Sequence, residues 1–405
     1  MKRLRELLRK ALVPTLSVLT AFILGGIVII VTDFEHLSQL GTDPIGAVLG
    51  AIGGVLSGYG AMLAGAFGDP ERIQEALRTG APRDVATAVR PITESLVSST
   101  PLIFTGLGVA ISFRAGMFNI GADGQLIIGA LASTIVTILM SGAAPSEVIL
   151  ILAIAVGALA GAAWGFVPGF LKARTGAHEV ITTIMLNYIA ALVVFFALRS
   201  DTLRAPGSTS PVSRNLTPIA DVPTLLPLPG LRLDMGFIVA LLMAVVVSWL
   251  LFRTTVGFEL RASGFNLTAA RYAGMSAGGS MMLAMALSGG LAGLAGAFLV
   301  LGTVGQLSID LSGGVGFNAI ALALLAGLRP SGVVLAALLF GALTSGGKTM
   351  NIVSGVPFDL LFFIIAMVIM FVAAPGLIRT IWRVRVPDPA PEVASVTPVA
   401  PSDPV

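Results

Sequence analysis

The sequence predicts an all-α, polytopic integral membrane protein of about ten transmembrane helices, and three observations carry that prediction. Of its 405 residues 56% are hydrophobic and only 11% charged, whereas a soluble domain carries about 25% charged residues. Uncharged apolar runs close to the roughly 20 residues a bilayer demands recur along the chain. Lysines and arginines gather in the short loops between alternate runs, as cytoplasmic loops do. There is no cysteine, which excludes disulfides, thiolate metal sites and cysteine nucleophiles. The two histidines, His36 and His178, are too far apart in sequence to suggest a metal pair. No cofactor, metal or nucleic-acid partner is expected, since the net charge of +3 matters only through where the basic residues sit.

Residues 1–10 form a basic cytoplasmic N-terminus with Lys2, Arg3, Arg5, Arg9 and Lys10. The apolar run 11–31 that follows is about twice the length of a secretory h-region and lacks a clean cleavage site, so it reads as a signal-anchor. Further runs cover 96–113, 116–140, 148–170, 180–198, 236–252, 277–302, 316–328, 331–347 and 360–376. The glycine-rich stretch 43–68 reads as interfacial or re-entrant rather than spanning. Ten alternating crossings put Arg114, Lys172, Arg174, Arg253, Arg261, Arg271, Arg329, Arg379, Arg383 and Arg385 on the side of the N-terminus. The opposite side receives the external segment 32–95 and the Pro-rich external loop 199–235, an ordered cap. The membrane domain thus spans 11–385, and the Pro/Ala/Ser-rich residues 386–405 read as a disordered cytoplasmic tail.

Four motifs need weighing. ALTSGGKT at 342–349 lacks one glycine of a phosphate loop and ends an apolar run, without the strand and soluble helix that a phosphate cradle needs; it is rejected. FRAGMFNIGADGQLIIGA at 113–130 crowds Asn119, Asp123 and Gln125 among glycines at the start of a span. Were the segment helical, Asp123 would lie about 13 Å beyond Arg114, inside the hydrocarbon. A carboxylate there faces a pathway or a structural partner, against the plainer reading of a cap at the interface. The loop 253–277 is basic and amphipathic, with Ala262, Gly264, Ala269, Ala270 and Gly274 punctuating two short helices. It reads as the place where a separate motor grips, against an ordinary solvated loop. Finally, Phe118–Asn119 and Phe317–Asn318 open two spans from opposite sides, as a possible inverted repeat would, while Gly289, Gly293 and Gly296 read as close helix packing.

Three segments, STPLIFTGLGVAISFRAGMFNIGADGQLIIGA from Ser99, GAHEVITTIMLNYIA from Gly176 and GFELRASGFNLTAARYAGMSAG from Gly257, resemble the permeases of ATP-binding-cassette importers for branched-chain amino acids, simple sugars and nucleosides. The nucleoside (basic-membrane-lipoprotein) branch is the most similar. The resemblance implies a subunit that translocates a nucleoside across the cytoplasmic membrane by alternating access, with both termini cytoplasmic and no enzymatic activity of its own. It implies an ABC ATPase subunit, a second permease, identical or homologous, and an extracytoplasmic binding lipoprotein as partners in the lipid bilayer. A simple sugar or riboflavin is the alternative cargo, and an ion-coupled secondary transporter the rival class. Carried onto this chain, Phe118, Asn119, Asp123, Gln125, Asn187, Phe317 and Asn318 border the substrate pathway. Arg261, Ala262, Gly264, Asn266, Ala269, Ala270, Arg271 and Gly274 couple to the ATPase. The long glycine-rich insert at 43–90 departs from the family pattern.

Overall fold

A computed structural model describes residues 2–33, 37–39 and 41–383. The tail 386–405, Arg385 and His36 lie outside the described residues. Prolines and small polar residues set where the apolar runs become helices. Asp43 accepts from Gly46 N–H and Asp69 from Glu71 N–H, each just before a first-turn proline, the position where its missing N–H costs nothing. These caps open α2 (Pro44–Phe67) and α3 (Pro70–Thr79), which follow α1 (Lys2–Thr32). α4 (Pro82–Arg114), α5 (Ala122–Leu139), α6 (Ser146–Thr175), α7 (Glu179–Ala197) and α8 (Gly236–Arg253) come next. Two short helices, α9 (Thr255–Phe265) and α10 (Leu267–Tyr272), precede α11 (Ala277–Phe298), which ends in a π-turn at Leu299–Val304. α12 (Val315–Leu325), α13 (Pro330–Ser354), α14 (Phe358–Ala373) and α15 (Pro375–Ile381) complete the described residues.

Among the described residues nine helical runs are long and apolar enough to cross a membrane, accompanied by two shorter apolar helices, Val315–Leu325 and Asp359–Val372. No strand occurs among them, only isolated bridges. The all-α polytopic architecture is therefore as expected, with changed boundaries. Residues 69–95 are not a loop: α3 and the first turns of α4 fill them, because Arg83, Asp84, Arg90 and Glu94 interrupt an apolar run without interrupting a helix. The expected span 316–328 is α12, about 16 Å long and about half a bilayer. The expected 331–347 is the longer α13. Stretch 43–68 is the helix α2, which is long enough to cross. Its last turn nevertheless meets α4 at Ser95, whose hydroxyl donates to Ala66 C=O at 2.9 Å, about 28 Å along α4 from Arg114. α2 therefore ends far from the Arg114 face.

α4 is the axis of the bundle, with Ile103, Phe104 and Leu107 fully buried. Beside it, α6 and α11 approach backbone to backbone. A Cβ on Gly289 would lie 3.0 Å from Gly165 Cα, and one on Gly293 3.0 Å from Gly161 Cα. The four-residue spacing puts these glycines on one face of each helix, so close packing accounts for them. The loop 199–235 is ordered: Ser213 N–H donates to Leu307 C=O at 2.9 Å, Leu307 N–H returns to the Ser213 hydroxyl at 2.9 Å, and Leu216 N–H donates to Gly305 C=O at 2.9 Å.

Candidate functional site

Between Arg114 and α5 the backbone turns rather than continuing as helix. Gly116 takes a left-handed conformation (φ 73°), which glycine adopts without a Cβ penalty. The helical ruler that set Asp123 about 13 Å past Arg114 is therefore wrong, since Asp123 stands in the first turn of α5. It is buried all the same, at 6% exposure. Its Oδ1 accepts from Gly316 N–H at 2.9 Å, and the Ser312 hydroxyl and Phe317 N–H also bond to the carboxyl. Asp123 thus caps α12, a helix from the other half of the chain, whose own N-cap is Gly314 and supplies no side chain.

Asn119 and Gln125 close on each other. Asn119 Nδ2 donates to Gln125 Oε1 at 2.9 Å and to the Ser288 hydroxyl at 2.8 Å, while its Oδ1 accepts from Gly121 N–H at 2.9 Å. Both residues are all but fully buried. Asn187 pins the same turn from α7, donating to Ile120 C=O and accepting from Gly124 N–H, both at 2.9 Å. Phe118 is partly exposed and stacks on Phe113 at 4.3 Å; its N–H bonds to Glu179, which also holds Lys172. That contact occupies the carboxylate beside His178, and no group of three potential metal ligands occurs among the described residues. These polar groups are thus satisfied by one another within one knot.

A partly polar cavity lies on the other side of α12. It encloses about 360 Å³ between α4, the π-turn, residues 311–318 and α13. Of the expected pathway residues Asn318 lines it, and Phe317 is exposed beside it in the sequence. At its mouth Glu94 accepts from Arg232 Nε at 3.1 Å, and the hydrogen-bonded carboxylate raises the Arg232 pKa above its ordinary value. Lys348 stands on the same rim, and Ser98, Thr303, Ser312 and Thr344 supply hydroxyls. Sequence reasoning passed over these residues. Their signal was a hydroxyl and a charge spaced four apart on one helix face, Ser98 after Glu94 and Thr344 before Lys348. ALTSGGKT itself is continuous helix within α13, with Gly347 packed against Leu361, so it forms no phosphate loop. A larger void of about 710 Å³ between α8 and α13 is walled by Leu241, Val245, Trp249 and Leu335 and offers few polar groups to a solute.

The loop 253–277 folds as two capped helices. Thr254 accepts from Gly257 N–H at 3.0 Å, and Asn266 Oδ1 from Thr268 and Ala269 N–H at 3.0 Å each. Gly264 does not hold space for a partner: a Cβ there would lie 2.8 Å from the backbone carbon of Ala115. Ala270 is buried at 3% exposure. Arg261 lies over the Phe252 ring at 5.3 Å and Arg114 over the same ring at 5.0 Å; Ala262 is half-buried. Asn266, Ala269, Arg271 and Gly274 are exposed, beside two aromatics that sequence reasoning missed, Phe265 and Tyr272, 94% and 90% exposed.

Residues 92–373 match the family described as branched-chain amino acid transport system / permease component. The guanosine ABC transporter permease protein NupP of Bacillus subtilis is 40% identical over 363 residues, 85% of this chain and 96% of that protein. The nucleoside ABC transporter permease protein NupB of Lactococcus lactis is 31% identical over 92% of this chain and 93% of its own. The glucose ABC transporter permease protein TsgB13 of Haloferax volcanii is 32% identical over 88% and 86%. No solved structure matches. The chain belongs to this family of transport permeases.

Proposed function

From that membership we propose that the chain is one of two permeases of an ATP-driven nucleoside importer in the cytoplasmic membrane, with a separate ATPase pair and an extracytoplasmic binding lipoprotein. The cargo reading is supported by two relatives named for guanosine and nucleosides. The glucose permease at 32% identity makes a simple sugar the alternative. Lactococcus lactis has a second nucleoside permease, NupC, 28% identical over 63% of this chain; this supports a partner that is a paralogue rather than a second copy. The face with Arg114, Arg271 and Arg329 is taken as cytoplasmic by the positive-inside rule, with both termini there and the loop 199–235 outside.

The single observation that carries the ATP-driven class is the shape of the loop 253–277. It is a rigid, capped helix pair anchored through Gly264 and Ala270 to the permease itself, and it presents Phe265 and Tyr272 to solvent. Exposed aromatics on a rigid element are what a grooved partner grips. In this reading ATP binding closes the ATPase pair, the two helices move with it, and the bundle rocks around a central path in alternating access. Phe118, Phe317 and Asn318 border that path, with Asn119, Asp123, Gln125 and Asn187 holding its walls.

The test is co-expression with the ATPase and second permease of the transporter. Phe265→Ala with Tyr272→Ala is expected to leave the permease folded and inserted while co-purified ATPase and labelled guanosine uptake drop about tenfold or more, the loss of about 1.4 kcal/mol or more of docking energy. Gly264→Trp instead forces the loop off the Arg114 turn and destabilises the permease. Wild-type ATPase recovery and uptake in the aromatic double variant would refute the docking surface.

A further inference from the structure

The polar cavity has a layered lining. Glu94, Ser98 and Leu102 descend α4 in four-residue steps, about 6 Å each, and all three face the cavity. On α13, Lys348 stands one turn outside Thr344 in the same sense. On both helices the charge is therefore at the mouth and the hydroxyl one turn deeper. A Cβ on Gly106 of α4 would touch Leu322 at 2.8 Å, so Asn318, one turn earlier on α12, stands level with Leu102. From mouth to floor the polar groups run charge, hydroxyl, amide, between apolar walls that include Val97, Pro101, Leu299, Val304 and Phe362.

We propose that this cavity is an outward-facing holding site for one uncharged, hydroxyl-bearing solute, with Asn318 reading the solute at the floor. Among the described lining residues the charges are Glu94, Arg232 and Lys348, and Glu94 occupies Arg232. A phosphate or carboxylate lowered to the floor would shed water and meet no cation, which is costly. A neutral hydroxylated molecule exchanges water for the Ser98 and Thr344 hydroxyls, for the accepting oxygens of Ser312 and Thr303, whose protons go to Asp123 and Asp234, and for the two-way amide of Asn318. The volume, about 360 Å³, lies at the low end of ligand pockets, which run from roughly 300 to 1,000 Å³, and suits a single small molecule. The inference rests on the importer reading for the direction of access and extends it to the charge class of the cargo.

The chain has no cysteine, so Ser98→Cys and Thr344→Cys each introduce a single thiol. In cells carrying the whole transporter, both thiols are expected to react with a membrane-impermeant cationic methanethiosulfonate added outside. Guanosine at ten times its half-saturating concentration should slow the reaction about tenfold, since only about a tenth of the sites is then free. Guanosine 5′-monophosphate at the same concentration should not slow it. Asn318→Ala in either background should keep the unliganded rate and lose most of the protection. Labelling after denaturation confirms that the thiol is present. Unreactive thiols in a transporter that imports guanosine, or equal protection by the monophosphate, would overturn the cavity while leaving the importer reading intact. If uptake assays show that the complex carries glucose and not guanosine, and glucose protects the thiols, the nucleoside reading falls and the cavity stands.

Discussion

Two turns of this molecule carry the same dipeptide and serve different ends. Phe118–Asn119 leads into α5, and Asn119 is sealed, bonded to Gln125, Ser288 and Gly121. Phe317–Asn318 sits in the first turn of α12, and Asn318 opens onto a polar cavity. The two helix starts meet head to head, with Asp123 of the first bonded to Gly316 N–H of the second at 2.9 Å. Polarity inside a membrane domain is thus no sign of a pathway by itself. What decides is whether the polar group has spent its hydrogen bonds on the fold, as Asn119 has, or keeps them for a visitor.

The strongest way to break this contrast is at the junction. Asp123→Ala strands Gly316 and Phe317 N–H groups that have no other cap, at about 1–3 kcal/mol for each buried orphan. The expected outcome is loss of the folded, monodisperse protein from detergent extracts, followed by size-exclusion chromatography, with Asp123→Asn recovering much of it through the retained oxygen acceptor. Stable protein with normal assembly and abolished uptake would return Asp123 to the pathway.

A smaller effect separates the twin asparagines. Asn119→Ala leaves Gln125 and Ser288 short of partners in a closed site, so thermal stability should fall while the half-saturating guanosine concentration of surviving protein stays put. Asn318→Ala should do the opposite, raising that concentration several-fold with little change in melting temperature. Equal behaviour of the two in both measurements would erase the distinction.

Much of the fold was legible because bilayer crossing is written in local composition: most apolar runs reappear as helices, and the Pro-rich loop 199–235 between two of them is ordered by backbone hydrogen bonds. The failures were of range and of interruption. α4 begins at Pro82, well before the apolar run does, because four charged residues in its exposed first turns do not stop a helix. The roles of Asn119, Gln125 and Asp123 depend on Ser288 and Gly316, far along the chain, which no local pattern reports. The same holds for Gly264, expected among the residues that couple to the ATPase, whose open side is filled by the backbone of Arg114 and Ala115. Phe265 and Tyr272 were readable in principle as aromatics stranded in a polar loop.

The least disruptive test uses a second capping carboxylate, Asp234, as the local counterpart of Asp123. Asp234 Oδ1 accepts from Gly236 N–H at 2.8 Å, two residues on, at the start of α8. It lies in the loop 199–235 and is 5% exposed. Burial, with a smaller push from Asp221, raises its pKa from 3.8 to about 6, against the lowering contributions of Gly236 N–H and Thr303. The folded state therefore holds a proton through a range where the unfolded chain has released it, so stability rises as pH falls from about 7 towards 4. Between about pH 7.5 and about pH 5 the gain is about 1 kcal/mol, since each pKa unit is worth about 1.4 kcal/mol. Asp234→Asn keeps the oxygen that caps α8 and removes the ionisation. Its melting temperature should exceed wild type at the higher pH, converge on it at the lower, and leave guanosine uptake unchanged. Parallel melting profiles for the two proteins would mean that Asp234 ionises as freely as a surface carboxylate, and that only the long-range cap at Asp123 is energetically buried.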